Sequence, residues 1–173
     1  LINGLKDKEN WNTGLNQVYQ VLANDFQYAD AYNLVTFADN HDVSRLFSKL
    51  NEDVDLAKIA LGFILTTRGI PQIYYGTEVL MTNGDNDDHG LIRGDFPGGW
   101  PQDQANAFKG KNLTAQQQDA QSFLKKLLNW RKNSTAISHG KLTHFAPENG
   151  IYVYFRTIAA TADSPAEKVM VVI

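Results

Sequence analysis

The 173-residue chain has an ordinary globular composition, with 43% hydrophobic residues, 20% charged residues and a formal net charge of −3. This charge argues against a nucleic-acid or anionic-membrane partner, because both favour a basic patch. The absence of cysteine excludes disulfide bonds and thiolate metal sites, although it does not fix the cellular compartment. No apolar run approaches the length of a membrane span, and no signal peptide is visible.

Both ends of the chain have the character of interior sequence. The first residue is Leu1 rather than Met, and Val171–Ile173 has the composition of the middle of a strand. We therefore expect the chain to be a piece of a longer protein.

Two helix–strand units are predicted in the first half of the chain. Apolar residues recur at helical spacing from Leu15 to Phe26, and a strand of consecutive apolar residues begins at Leu34. Such a run is expected for a strand that is covered on both faces. A second helix follows Asp53, a residue type that caps helices, and a second strand spans Ile70–Tyr75. This alternation predicts a parallel sheet.

The first predicted strand ends in a group of polar side chains. It is followed directly by Asp39, Asn40, His41 and Asp42, and then by Arg45. In parallel α/β barrels, the chemistry lies where the strands end, at the C-terminal face. A single acidic residue there commonly caps the next helix, but several ionisable groups on one rim predict a site.

The second half begins with a long irregular segment and then changes to β character. Residues 76–110 are too many for an ordinary connection between a strand and a helix, so a functional or flexible segment is predicted. A capping-box sequence, Thr114–Gln117, opens a helix that runs to about Lys132. Two strands around a turn at Pro147–Gly150, and a third from Lys168, then predict an antiparallel sheet.

Two motifs give the chain a family resemblance. Phe37–Asp42, with the sequence F-A-D-N-H-D, resembles the fourth conserved region of the α-amylase superfamily (glycoside hydrolase family 13), at the end of the seventh barrel strand. Gly69–Glu78, with the sequence G-I-P-Q-I-Y-Y-G-T-E, resembles the eighth strand of the same family. The motifs occur in the family's order, and the resemblance is greatest to the neopullulanase and cyclomaltodextrinase branch.

The resemblance implies an α/β fold that comprises the last βα units of a (β/α)8 TIM barrel and the start of an antiparallel β C-terminal domain. Residues 1–138 are then expected to hold strands 7 and 8 of the catalytic barrel with their flanking helices. Residues 139–173 are expected to begin the all-β domain. The chain is thus interpreted as a C-terminal fragment. Because the related branch includes periplasmic amylases, a periplasmic or extracellular location is also implied.

The same resemblance implies a retaining glycoside hydrolase acting on α-glucans, such as starch, maltooligosaccharides, pullulan or cyclodextrins. Retaining enzymes use two carboxyl groups, roughly 5 to 5.5 Å apart, as nucleophile and acid/base. In the family these groups lie on the fourth and fifth strands, and their usual surrounding motifs do not occur in this chain. Asp42 matches the family's third acid, which holds the sugar hydroxyls in the transition state, and His41 is expected to donate to a neighbouring hydroxyl.

Further substrate contacts are predicted at the second strand and in the long loop. Tyr75 ends the strand and is expected to form a wall of the site, with packing as the alternative. Phe96 and Trp100 lie in a Gly- and Pro-rich loop, where they either stack on sugar rings or hold the loop against the barrel. Arg93 and Asp88 resemble a charged pair that borders the glucan subsites of the neopullulanase branch. Structural roles are predicted for Arg45 and Glu78.

Calcium binding and two other functions also fit parts of the sequence. The acidic run Asp85–Asp88 offers oxygen ligands for Ca²⁺, which many amylases bind, but its spacing is not that of an EF-hand. A solvated loop is the default interpretation, so no metal ligand or certain cofactor is predicted. A non-catalytic glucan-binding piece would use the aromatic loop. A metal-dependent phosphohydrolase would use His41 and Asp42 as metal ligands, but such pairs lie on helices and need further partners.

Overall fold

Two short parallel strands organise the first half of the chain. The computed structural model describes residues 1–173. Strand β1 (Val35–Thr36) pairs in parallel with β2 (Ile70–Pro71), and the backbone N–H of Gln72 donates to the Thr36 carbonyl at 2.8 Å. Parallel pairing places the ends of both strands at the same edge, as the alternation of helices and strands predicts.

Both strands are shorter and more exposed than the sequence predicts. The side chains of Val35 and Ile70 are 54% and 50% exposed. The sheet has two strands and does not close into a barrel within these residues, so no opposite strands cover its inner face. The prediction that the first strand is covered on both faces is wrong for this chain. The second strand ends after Pro71, which has no N–H to donate.

Four helices pack around this strand pair: α1 (Ile2–Lys6), α2 (Leu15–Ala23), α3 (Leu46–Lys49) and α4 (Val54–Thr66). Helix α2 is shorter than predicted, because Phe26 lies beyond it in a 3-10 turn. Helix α4 begins at the predicted cap. The Asp53 carboxylate accepts the backbone N–H groups of Asp55 and Leu56 at 2.9 and 3.0 Å, which satisfies two donors that have no partner inside the helix.

The long segment after β2 contains a 3-10 turn and three helices: Thr77–Val79, α5 (His89–Ile92), α6 (Ala115–Asn133) and α7 (Thr135–His139). The predicted capping box opens α6. The Gln117 N–H donates to the Thr114 hydroxyl at 3.2 Å, and the Thr114 N–H donates to the Gln117 side chain at 3.0 Å. None of the helices combines the length and apolar character that a membrane crossing requires.

The last part of the chain is a three-stranded antiparallel sheet, formed by β3 (Lys141–His144), β4 (Val153–Ile158) and β5 (Glu167–Val172). The central strand β4 pairs with both neighbours, with His144 opposite Tyr154 and Val153 opposite Val172. This arrangement agrees with the predicted hairpin followed by a third strand.

Two hydrophobic clusters hold these parts together. The larger one joins α3, α4 and α6 through Leu46, Phe47, Leu50, Ala57, Ala60, Leu61, Leu65, Leu80, Ala120 and Leu124. The second joins α2 and α4 to the region of β4 through Leu15, Val18, Leu22, Phe63, Ile64, Tyr152 and Tyr154. Helices α2 and α4, which lie beside the two parallel strands, are therefore packed directly against the antiparallel sheet.

A buried arginine also connects the sheet to α4. Arg156 of β4 donates to the carbonyl oxygens of Thr66 and Thr67 at 3.0 and 2.5 Å, and to the Gly140 carbonyl at 2.9 Å. The Tyr154 and Thr66 hydroxyls lie 2.6 Å apart. A positive charge at the C-terminal end of a helix is favourable, and here it also satisfies carbonyls that the helix leaves unpaired.

Candidate functional site

A tight turn carries His41 and Asp42, the two residues that are predicted to be catalytic. Asn40 and Val43 form an isolated antiparallel bridge after β1, and His41 and Asp42 occupy the turn between them. The Asn40 side-chain oxygen accepts the backbone N–H of Asp42 at 2.8 Å. Asparagine commonly stabilises turns in this way, so the local sequence itself directs both side chains outward. Their side chains are 61% and 57% exposed.

The Asp42 carboxylate has a basic side chain beside each oxygen. His41 Nε2 lies 3.1 Å from Oδ2, and Arg93 Nη2 lies 3.1 Å from Oδ1. Arg93 Nε also donates to the backbone carbonyl of His41 at 3.0 Å. The structure thus brings together three of the predicted site residues. The guanidinium contacts both members of the turn, which fixes the turn and the carboxylate relative to each other.

Arg93 directly follows helix α5 as its C-cap, and Asp88 precedes the helix as its N-cap. The Asp88 carboxylate accepts the N–H groups of Gly90 and Leu91 at 2.7 and 3.4 Å, which makes Asp88 the N-cap of α5. Asp88 and Arg93 form no ion pair with each other, and their predicted place beside the glucan subsites stays a prediction. The capping geometry turns the carboxylate towards the helix backbone, while Arg93 extends from the other end towards Asp42.

His89 is a member of this cluster that the sequence analysis does not identify. Its Nδ1 lies 3.1 Å from Arg93 Nη2, the same nitrogen that contacts Asp42. The two residues are four positions apart, the spacing at which side chains on a helical turn meet. That spacing becomes informative only when α5 is known to exist, and the short sequence between Asp88 and Arg93 has no helical periodicity to predict it.

A buried layer supports the rim from below. Asp39 is 3% exposed, and its carboxylate accepts the Leu46 N–H at 2.8 Å and the Thr77 hydroxyl at 2.9 Å. Burial raises the pKa of Asp39 above its ordinary value, while these hydrogen bonds and the charge of Arg45 act in the opposite direction. Asp39 therefore connects the end of β1 to α3 and to the turn that follows β2.

Arg45 is fully buried and links three segments of the rim. Its guanidinium donates to the carbonyl oxygens of Tyr75 and Ile92, the latter at 2.9 Å. The carbon of the guanidinium also lies 4.2 Å from the ring centre of Tyr74 and 4.8 Å from that of Tyr75. Arg45 thus holds α5 and the end of the second strand motif in place, which is the structural role predicted for it.

The predicted aromatic contacts differ in their surroundings. Tyr75 is partly exposed, and its hydroxyl donates to the Gly94 carbonyl at 2.9 Å, next to Arg93. Trp100 is 55% exposed, and its indole N–H donates to Asp95 at 2.9 Å. Phe96 is half-buried and packs on Phe108, with ring centres 4.8 Å apart. The contacts of Phe96 therefore correspond to the alternative prediction, in which it holds the loop.

The side chains of the acidic run bond to neighbouring groups of the chain. Asp87 accepts the Ser44 hydroxyl and contacts Lys49 Nζ at 3.3 Å, whereas Asp88 caps α5. Asn83 uses its side chain to accept the Arg45 N–H at 2.8 Å. No group of three or more His, Cys, Asp or Glu side chains comes together in a metal-holding arrangement. One carboxylate oxygen of Asp87 and one of Asp88 are thus engaged within the chain, and Ca²⁺ binding by this run stays a prediction.

Comparison with known proteins identifies the family. The family described as the catalytic domain of alpha amylase matches residues 3–136. The chain belongs to the α-amylase family. A second family, the C-terminal domain of cyclo-malto-dextrinase, matches residues 142–173. The predicted resemblance and fold class are thereby confirmed, with the barrel units followed by the start of an antiparallel C-terminal domain.

Similar proteins extend this result. A cyclomaltodextrin glucanotransferase of Paenibacillus macerans is 34% identical over 152 residues, which cover 87% of this chain and 18% of the relative. Among solved structures, the α-amylase of Geobacillus thermoleovorans, complexed with acarbose, has a TM-score of 0.62 and 25% identity. That match covers 84% of this chain and 29% of the other. A cyclomaltodextrin glucanotransferase with a three-domain ABC distribution has a TM-score of 0.60 and 32% identity, over 84% and 26% of the two chains.

The matches cover most of this chain but only a small part of each of these enzymes. The chain spans about a fifth of the length of the curated relatives, as the 18% coverage of the Paenibacillus macerans enzyme illustrates. Membership of the α-amylase family thus fixes the fold of these residues, and the matched range 3–136 includes the Asp42 turn.

Proposed function

We propose that the chain carries the sugar-holding rim of an enzyme that acts on α-glucans with retention of configuration. The observation that carries this proposal is the exposed carboxylate of Asp42, held by His41 and Arg93 at the end of a parallel strand. Membership of the α-amylase family supports it, because the motif Phe37–Asp42 resembles the family region that contains its third acid.

The geometry of Asp42 suits a carboxylate that grips a sugar ring. Glycoside cleavage passes through a transition state in which the ring distorts and positive charge develops at the anomeric carbon. Arg93 donates to Oδ1 of Asp42, and both carboxylate oxygens keep lone pairs that accept a sugar hydroxyl. Hydrogen bonds from the sugar to an ionised, already oriented carboxylate strengthen in that transition state, so they contribute to the rate as well as to binding.

His41 is proposed to complete this grip. Its Nε2 lies 3.1 Å from Asp42 Oδ2, and Nδ1 forms no hydrogen bond within the chain. The second ring nitrogen is therefore available to a sugar hydroxyl next to the one that Asp42 holds. A histidine and a carboxylate that share one turn can bind neighbouring hydroxyls without moving relative to each other.

The nucleophile and the acid/base are proposed to come from polypeptide outside these residues, because the family motifs that surround them do not occur here. The curated relatives are named cyclomaltodextrin glucanotransferases, and the second matching family is named for cyclo-malto-dextrinase. We therefore propose linear or cyclic α-glucan oligosaccharides as the substrate class. Water and a second sugar hydroxyl are both compatible acceptors for the glycosyl group.

Two aromatic residues are proposed as walls of the sugar site. The exposed ring of Trp100 is suited to stacking on the flat C–H face of a glucose unit, and its tie to Asp95 fixes the orientation of the ring. Tyr75 lies beside Arg93 through its bond to Gly94 and borders the same rim. Phe96 supports the loop from the inside, and Asp88 acts by capping α5.

Titration of the isotopically labelled chain with maltotriose, followed by NMR, tests the proposal. We expect the largest chemical-shift changes at His41, Asp42 and Arg93, and we expect Asp42→Ala to abolish them. A spectrum that does not respond to maltotriose, or that responds equally in the Asp42→Ala variant, would overturn the assignment. The exposed His139→Ala change on α7 serves as the matched control.

A second candidate is a glucan-binding unit that performs no chemistry. The exposed indole of Trp100 favours this candidate, since stacking requires neither a nucleophile nor an acid. The two candidates differ in the effect of Asp42. A binding unit based on Trp100 would retain maltotriose affinity in Asp42→Ala, whereas the sugar-holding rim would lose it. Hydrolysis of maltooligosaccharides by these residues alone would contradict both accounts.

A further inference from the structure

The side chains of His89 and Arg93 are brought together by the single turn of α5. Asp88 caps the helix, and the Arg93 N–H closes it by donating to the His89 carbonyl at 3.0 Å. Residues four positions apart on a helical turn share a face, so the imidazole and the guanidinium lie side by side. The turn has only four residues, which means that its capping and this side-chain contact define its geometry.

The hydrogen bonds of Arg93 show what the contact achieves. Nη2 carries two hydrogens, and its two acceptors are Asp42 Oδ1 and His89 Nδ1, both at 3.1 Å. Nε donates to the His41 carbonyl at 3.0 Å. The guanidinium is planar, so acceptors on three sides determine both its position and its rotation. An accepting Nδ1 requires the neutral imidazole with its proton on Nε2.

We infer that His89 is a positioning residue for the sugar-holding carboxylate: it accepts from Arg93 and thereby holds the guanidinium in the orientation that fixes Asp42. This inference rests on the proposed function, because its consequence is measured as glucan affinity. His89 itself contacts neither Asp42 nor the turn in the hydrogen-bond network, so its effect passes through Arg93.

Removal of the imidazole is expected to loosen Arg93 while leaving the fold intact, because His89 is exposed. In His89→Ala, the Arg93 side chain loses one of its three acceptors and becomes free to rotate away from Asp42. We expect maltotriose affinity to fall by about two- to fivefold, the range of a single exposed charged contact. The Arg93 Nε–H resonance is expected to broaden or shift towards that of a solvated arginine.

The variant His89→Asn separates positioning from a general structural role. The asparagine side-chain oxygen can accept from Arg93 at nearly the same place as Nδ1, so His89→Asn is expected to restore both the affinity and the Arg93 resonance. His139→Ala, the exchange of an exposed histidine on α7, is the matched control and is expected to change neither. Far-UV circular dichroism and thermal unfolding verify that each variant is folded.

The outcomes distinguish this inference from the proposed function. If Asp42→Ala abolishes maltotriose binding but His89→Ala does not change it, the positioning role is overturned and the function stands. If His89→Asn behaves like His89→Ala, the acceptor role of His89 is likewise overturned. If Asp42→Ala leaves the affinity unchanged, the proposed function itself fails. Loss of affinity and of the Arg93 signal in His89→Ala, with recovery in His89→Asn, supports the inference.

Discussion

Arg93 and Asp42 lie 51 residues apart in the chain, and their side chains meet at 3.1 Å. The contact joins the turn after β1 to helix α5, so it connects the segments that follow the two strand motifs. The backbone of each partner is fixed locally: that of Asp42 by the Asn40–Val43 turn, and that of Arg93 by α5. A pair built in this way orients the carboxylate before any ligand arrives.

Arg93→Lys is expected to weaken maltotriose binding while the fold is retained. Lysine keeps the positive charge but lacks the planar guanidinium, which contacts Asp42, His89 and the His41 carbonyl at the same time. The expected loss of affinity is up to about fivefold, since the pair is half exposed. NMR or calorimetric titration measures it. Equal affinity in both proteins would show that charge alone is sufficient and that the fork of hydrogen bonds is not required.

Trp100→Ala is expected to reduce glucan affinity more than Trp11→Ala does. Both indoles are exposed, but Trp11 lies in the loop between α1 and α2, whereas Trp100 is oriented by Asp95 in the predicted substrate loop. Loss of a sugar–aromatic contact removes apolar burial as well as stacking. Maltotriose titration of the two variants provides the comparison. Unchanged affinity in Trp100→Ala would remove this residue from the sugar site.

Acidification is expected to stabilise the native chain relative to an Asp39→Asn variant. Burial raises the pKa of Asp39 in the folded state, so the folded protein binds a proton at this position more readily than the unfolded chain does. The difference in the free energy of unfolding, native chain minus variant, should therefore increase as pH falls from neutral through that raised pKa. Urea unfolding of both proteins at several pH values measures it. A pH-independent difference would contradict the assigned shift.

Arg156→Met is expected to destabilise the chain by about 3 kcal/mol, because the buried carbonyls of Thr66, Thr67 and Gly140 lose their charged donor. Methionine fills most of the same volume, so the change reports mainly on the hydrogen bonds. Chemical denaturation provides the measurement. Lys141→Met, at an exposed position of the same sheet, is the control and should remain within about 0.5 kcal/mol of the original chain.

The sequence predicts those features that depend on local pattern. The Thr114–Gln117 capping box, the Asp53 cap and the parallel pairing of two strand motifs appear in the structure where the pattern places them. The strand lengths are predicted less well, because the length of a strand depends on its neighbours as well as on its own residues.

The candidate site is predicted only in part, and the missed part is tertiary. His41, Asp42 and Arg93 are visible through motifs, and the structure brings them into contact. The contact between His89 and Arg93 depends on a four-residue helix, which is too short for the periodicity of the sequence to predict. The capping role of Asp88 is likewise visible only once α5 is known, and its predicted place beside the glucan subsites stays a prediction.

The attachment of the antiparallel sheet has a dynamic consequence. Arg156 grips the last turn of α4, and Glu167 receives the Ser134 and Thr135 hydroxyls and the Ala136 N–H at the beginning of α7, at 2.5 to 2.9 Å. Two separate clamps on adjacent strands oppose both bending and twisting of the sheet against the helices. Movement of the sheet against α4 and α7 would require both clamps to open, so these elements are expected to move as one body.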